Sequence, residues 1–161
     1  MAHGLDANPF SRTTRPTAYV PRPESEEVLE GLQARVVAGD AALSRLAGPA
    51  GMGKSLLLRV LADRTAEQLS SVLVPNPCAG PEDLARQVLE AMDDPRQSAP
   101  QLRLVEVAKQ LSDSGGLLLL VDNAERLAPE AIAALEDWHR RSDGSLRSVC
   151  AALVPIAERS T

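Results

Sequence analysis

Residues 48–55 read GPAGMGKS. It meets G-x-x-x-x-G-K-[ST] at every specified position: Gly48, Gly53, Lys54 and Ser55. Gly48, Gly51 and Gly53 permit backbone shapes that a Cβ forbids, so successive N–H groups can turn toward one phosphate. Pro49, Ala50 and Met52 complete the loop, and Lys54, Ser55 and Leu56 open a helix whose positive end adds to the attraction. Lys54 offers a compact charge to the β and γ phosphates, and the Ser55 hydroxyl a hard oxygen to Mg²⁺. A chance match in a glycine-rich turn is the bland alternative, but the flanking sequence supplies the strand and helix that the cradle requires.

The basic residues sharpen the point. Among seventeen lysines and arginines, only Lys54 and Lys109 are lysines. A chain that otherwise uses arginine keeps an ammonium where a broad guanidinium would not fit. A phosphate cradle of this kind needs an acid from a neighbouring buried strand to hold the magnesium shell. LLLLVD, residues 117–122, is a strand ending on such an acid. Asp122 either holds the metal with Ser55 or only caps the turn that follows.

Outward from these two stretches the chain alternates. Pro23 opens a helix, with Glu24, Glu26 and Glu27 in its first turn and Val28, Leu29, Leu32 and Val36 on one face, stopped at Gly39-Asp40. Residues 41–47 form a short strand. Helix follows from Lys54 to about Leu69, with Leu56, Leu57, Val60 and Leu61 inward, and then a strand at 71–74. Pro81 starts a helix apolar at Leu84, Val88, Leu89 and Met92. DDPRQSAP is a loop, and 102–111 a helix. The 117–122 strand has no polar alternation, so both its faces are covered. Residues 129–141 are helical, 142–144 turn, and 147–153 form the last strand. Strands separated by helices give an α/β fold: a three-layer P-loop sandwich around a mostly parallel sheet. Residues 1–23, with four prolines, form an extended arm, and 24–161 the nucleotide-binding domain.

Length and composition agree with this. The chain has 161 residues, 44% hydrophobic and 24% charged, enough for one domain with a core of its own. Its three aromatics are Phe10, Tyr19 and Trp138, so Leu, Val and Ala must build that core. The net charge is −5 without a long basic run, so charge does not indicate a nucleic-acid surface. Cys78 and Cys150 read as reduced, buried thiols and, like His3 and His139, have no metal-ligand spacing. Residues 1–10 lack the marks of a signal peptide, and the apolar run 117–121 is too short to span a membrane, so the expected compartment is cytoplasmic.

No N-K-x-D guanine motif or arginine-rich lid is present. The chain resembles the AAA+ superfamily, and within it the ExeA-like and TniB-like ATPases of bacterial secretion and transposition. Three stretches carry the likeness: the arm from Asn8-Pro9-Phe10 through Tyr19-Val20-Pro21, the loop GPAGMGKS, and VDNAERL at 121–127, similar to the form VDEAxxL. Only the loop is highly specific. The resemblance implies ATP or ADP with Mg²⁺ held by Ser55 and Asp122, and adenine against Tyr19 and Val20, although Tyr19 equally suits a clasp for the arm. It implies an arginine acting on a neighbour's nucleotide in a homo-oligomer, Arg140 or Arg141, although two arginines also suit a helix C-terminus by themselves.

The chain departs from that pattern in three places. Asn123 stands where the family has the glutamate that polarises the attacking water, and an amide cannot take that proton. Glu125 either swings in as a substitute or is a solvated charge. Val154 before Pro155 falls where a polar γ-phosphate sensor is usual. The fifth strand and helical lid of the family have no counterpart before Thr161. The expected catalytic set is therefore Lys54, Glu125 and Asn123, and the expected function an ATP-binding switch with slow or absent hydrolysis that acts on a protein partner. A non-catalytic adaptor on the same fold is the alternative, and a conventional ATPase remains open if Asn123 and Glu125 act together.

Overall fold

The computed structural model describes residues 21–39, 41–48, 53–95 and 98–153. Its elements run α1 (Pro23–Ala38), β1 (Leu43–Gly48), α2 (Lys54–Arg64), β2 (Ser70–Val74), α3 (Pro81–Ala91), α4 (Pro100–Gln110), β3 (Leu117–Val121), α5 (Pro129–Arg141) and β4 (Leu146–Leu153). Short 3₁₀ turns lie at Ser112–Ser114 and Ala124–Arg126. The arm before Pro21 lies outside the described residues.

The strands order as β1-β4-β3-β2, and every pairing is parallel. β3 is central, with Leu119 beside Ser148 of β4 and Leu120 beside Leu73 of β2. Alternate residues of β3 enter two separate cores. Leu118 and Leu120 pack with Leu29, Leu32, Leu58 and Leu61 of α1 and α2. Leu117, Leu119 and Val121 pack with Leu84, Leu104, Leu135 and Trp138 of α3, α4 and α5. This explains a strand with no polar alternation: all five residues are fully buried. Each such side chain contributes about 1.5–3 kcal/mol of transfer free energy, so the run anchors both layers at once. An Arg64–Glu26 ion pair of 2.8 Å joins α2 to α1 at the surface of the first layer.

The helices start in two ways. α1, α3, α4 and α5 each open with proline, whose fixed φ suits the first helical position. α2 opens behind Gly53, at φ 87° and without a side-chain cap. Its first-turn amides are therefore not taken by the residue in front of them. Entry into β3 depends on Gly115, at φ 100°, where an added Cβ would lie 1.5 Å from the Gln68 carbonyl oxygen.

Several boundaries differ from those read in the sequence. α2 stops at Arg64: Thr65 is buried, its hydroxyl donates to the Leu61 carbonyl at 2.9 Å, and Leu69 buries itself on the way into β2. Leu58, not placed inward by the sequence reading, is fully buried, and Leu56 only partly so. β1 is shifted to Leu43–Gly48. α4 begins at Pro100, assigned above to a loop, because proline is tolerated at a helix's first position. Val28 is 36% exposed, since the Leu29, Leu32 and Val36 stripe turns it to the flank. Cys78 is exposed rather than buried, in the segment after β2, whereas Cys150 is buried in β4. Among the described residues no helix is long and apolar enough to cross a membrane.

Candidate functional site

In a parallel sheet every strand ends at the same edge. Gly48 ends β1, Val121 ends β3 and Val74 ends β2, all at the edge where open α/β sheets place ligands. α2 returns from that edge and packs against β1, β2 and β4. Its first turn therefore stands beside the end of β3.

The result is direct contact between two residues 67 positions apart. The Ser55 hydroxyl donates to Asp122 Oδ2. Asp122 is 9% exposed, and its own N–H donates to the Val74 carbonyl at 2.9 Å, continuing the sheet pattern by one residue past β3. The two residues expected to hold Mg²⁺ are thus brought together, each presenting a hard oxygen, which is the donor set a magnesium ion takes. Lys54 is half-buried at the first position of α2. Pro49, Ala50, Gly51 and Met52 lie outside the described residues, as do Tyr19 and Val154.

Asn123 adopts φ 54°, in the left-handed region. Its backbone N–H donates to Asp122 Oδ1 at 2.9 Å. Its side-chain nitrogen donates to the Pro75 carbonyl at 2.8 Å and to Asn76 Oδ1 at 3.4 Å. The amide that follows the acid is thus tied by its donor to the loop after β2. Glu125 is exposed on the Ala124–Arg126 turn. Arg140 and Arg141 are exposed in the last turn of α5 and both pair with Asp137. α5 runs toward the start of β4, so these arginines sit at the opposite edge of the sheet from Ser55 and Asp122.

Sequence reasoning missed Pro75, Asn76 and Gln87. Gln87 of α3 donates to the Asn76 carbonyl at 2.8 Å and accepts from the Cys78 N–H at 2.9 Å. The available signal was position: PNP, residues 75–77, follows the end of β2 at the same edge as Asp122.

One solved structure agrees with the fold. The Walker-type ATPase PABY2304 of Pyrococcus abyssi superposes with a TM-score of 0.59 at 16% identity, over 86% of this chain and 47% of that one. The RuvB Holliday junction branch migration motor of Thermotoga maritima gives 0.46 at 17% identity, over 91% and 45%. PCH-2 of C. elegans gives 0.47 at 17% identity, over 84% and 39%. The chain therefore spans about half or less of each of these structures. Comparison with curated protein sequences gives no match. A sequence profile described as "AAA domain" matches residues 37–154. That span runs from the end of α1 past the end of β4 and includes the GPAGMGKS stretch and Asp122. With a sheet of four parallel strands layered between helices among the described residues, the chain belongs to the AAA domain family of P-loop ATPases.

Proposed function

We propose that this domain is a Mg²⁺-dependent ATP-binding switch in which hydrolysis is slow or absent. The observation that carries the reading is the Ser55–Asp122–Asn123 arrangement: two hard oxygens converge, and the next side chain is an amide already engaged with Pro75. Residues 48–56 hold the phosphates, Lys54 neutralises their charge, and Ser55 and Asp122 hold the metal. Bound Mg²⁺ neutralises phosphate charge and fixes the orientation of the triphosphate. Asn123 lacks the basicity to take a proton from water, and Glu125, displaced by two residues, is the remaining acid beside it in sequence. Tyr19 of the arm (residues 1–23) packs on adenine, outside the 24–161 domain proper.

The product of such a site is a difference in shape or assembly between ATP and ADP forms, read by a protein partner in the cytoplasm. Arg140 and Arg141 lie at the wrong edge of the sheet for their own site, which suits action on a neighbouring copy. The same amide at 123 favours a second reading, an adaptor that takes nucleotide only as a structural ligand.

Calorimetry with ATP and Mg²⁺, together with phosphate release, tests the proposal. Wild type binds ATP and releases little phosphate, and Lys54→Ala weakens binding at least about tenfold. Turnover that disappears in both Lys54→Ala and Glu125→Gln would instead make the domain a working ATPase with Glu125 as its acid. Equal affinity for ATP and ADP, with no change in shape or assembly between them, would favour the adaptor. No uptake of either nucleotide would end the switch reading.

A further inference from the structure

A continuous run of hydrogen bonds leads from the metal-holding pair to α3. Ser55 donates to Asp122 Oδ2, the Asn123 N–H to Asp122 Oδ1, and the Asn123 carboxamide to the Pro75 carbonyl. Gln87 then grips the same loop from the other side, donating from Nε2 to the Asn76 carbonyl at 2.8 Å and accepting at Oε1 from the Cys78 N–H at 2.9 Å. The loop is closed a third time by the Ala128 N–H, which donates to the Ala79 carbonyl at 2.9 Å.

Gln87 is held to one orientation. A flip of its carboxamide would set NH₂ against the Cys78 N–H and oxygen against the Asn76 carbonyl, losing both bonds. It also stands off the buried face of α3, which is Leu84, Ala85, Val88 and Leu89. Core packing therefore does not account for it. Asn123 is fixed just as doubly, with its backbone on Asp122 and its side chain on Pro75, in a left-handed conformation. Neither attachment moves without straining the other.

We propose that Gln87 is a positioning residue: by clamping the 75–80 loop it holds the Asn123 carboxamide, so that the loop responds to the load on the Asp122 carboxylate. This rests on the nucleotide reading above, because the load is ATP with its metal. When Asp122 shares its charge with a metal shell, its Oδ1 is a weaker acceptor for the Asn123 N–H. The turn at Asn123 relaxes, its hold on Pro75 loosens, and the stretch from Pro75 to Ala79, exposed except at Pro77, becomes more mobile. A difference between nucleotide states thereby reaches the surface without any subunit rotation.

Amide hydrogen exchange on the full chain tests this. The reporters are the Cys78 and Ala128 amides, closed by the network, and the reference is the Leu117 amide, bonded to the Ser145 carbonyl at 2.7 Å at the far edge of the sheet. Saturating ATP–Mg²⁺ speeds both reporters about fivefold relative to Leu117, the effect of roughly one hydrogen bond lost. In Gln87→Met both reporters exchange fast with or without ATP–Mg²⁺ while Leu117 stays slow, which also shows that the variant is folded. Gln87→Glu, which keeps the acceptor for Cys78 and loses the donor to Asn76, falls between. Unchanged reporters in a wild-type protein that takes up ATP by calorimetry overturn the clamp alone. A full nucleotide response in folded Gln87→Met does the same. Absence of calorimetric uptake overturns the nucleotide reading and the clamp together.

Discussion

The Asn123 side-chain nitrogen lies 2.8 Å from the Pro75 carbonyl oxygen. A glutamate at the same position could make no such bond, because a carboxylate is an acceptor facing an acceptor. Asn123→Glu therefore does two things: it supplies a base and releases the side chain from the β2 loop. Phosphate release is expected to rise about 10²-fold, the lower range for a positioned general base. A variant that binds ATP as wild type does, yet releases phosphate no faster, would show that the restraint on hydrolysis lies elsewhere.

Ser55→Ala and Asp122→Asn separate metal binding from phosphate binding. Each removes a hard oxygen or its charge from the pair joined by hydrogen bonding. Both variants are expected to bind ATP with little benefit from Mg²⁺, whereas wild type gains about tenfold or more, or at least 1.4 kcal/mol. Ser55→Ala also leaves the nearly buried Asp122 without one donor, so the fold loses about 1 kcal/mol in urea unfolding. Titrations with and without EDTA would read the first effect; undiminished Mg²⁺ dependence in both variants would remove Ser55 and Asp122 from the metal site.

The parts legible in the sequence were those written in local pattern. LLLLV announced a strand covered on both faces, and both cores are there. Gly53 and Ser55 were legible because a cradle needs particular residue types at fixed spacing. Pro23, Pro81 and Pro129 marked helix starts, but Pro100 did not, because the polar residues around it read as loop. The end of α2 was misplaced because Leu69 continues the helical spacing while serving the entry to β2. Gln87 was not legible, and Asn76 only through its place after β2: Asn76 meets a partner 47 positions away, and such a bond leaves no trace in local periodicity. The exposure of Cys78 belongs to the same loop and was missed for the same reason.

Burial in β4 pushes the Cys150 thiol from 9.0 up to about 12, against a smaller opposing effect of Arg45. The sign follows from which state ionises first. The unfolded thiol loses its proton near its ordinary value while the folded one keeps it, so the native state binds more protons and stability falls as pH rises through that window. Below pH 9 the thiol contributes nothing. Between about pH 9 and 12 it contributes a loss approaching 1.4 kcal/mol per pH unit. Cys150→Ala is expected to flatten the alkaline limb of a urea-midpoint profile by about one proton. Identical slopes for wild type and variant would mean that Cys150 ionises in the fold as readily as out of it.

Arg147 of β4 fastens α1, in the first helix layer, to the sheet. Its Nη1 donates to the Val36 carbonyl at 2.8 Å and its Nε to the Gly144 carbonyl at 3.0 Å. Val36 belongs to the last turn of α1, where carbonyls run short of intrahelical donors and a cation meets the negative end of the helix. Burial lowers the guanidinium pKa, but an arginine retains its charge through the pH range in which the protein is folded. Arg147→Met keeps the apolar stem and discards both bonds, so a loss of about 2 kcal/mol is expected. Arg147→Lys keeps the charge without the planar fork that reaches two carbonyls from one side chain, and should recover less than half of it. Urea unfolding with an unchanged m-value measures both. If the lysine variant matches wild type, charge at the helix end is what holds α1, and the paired hydrogen bonds contribute little.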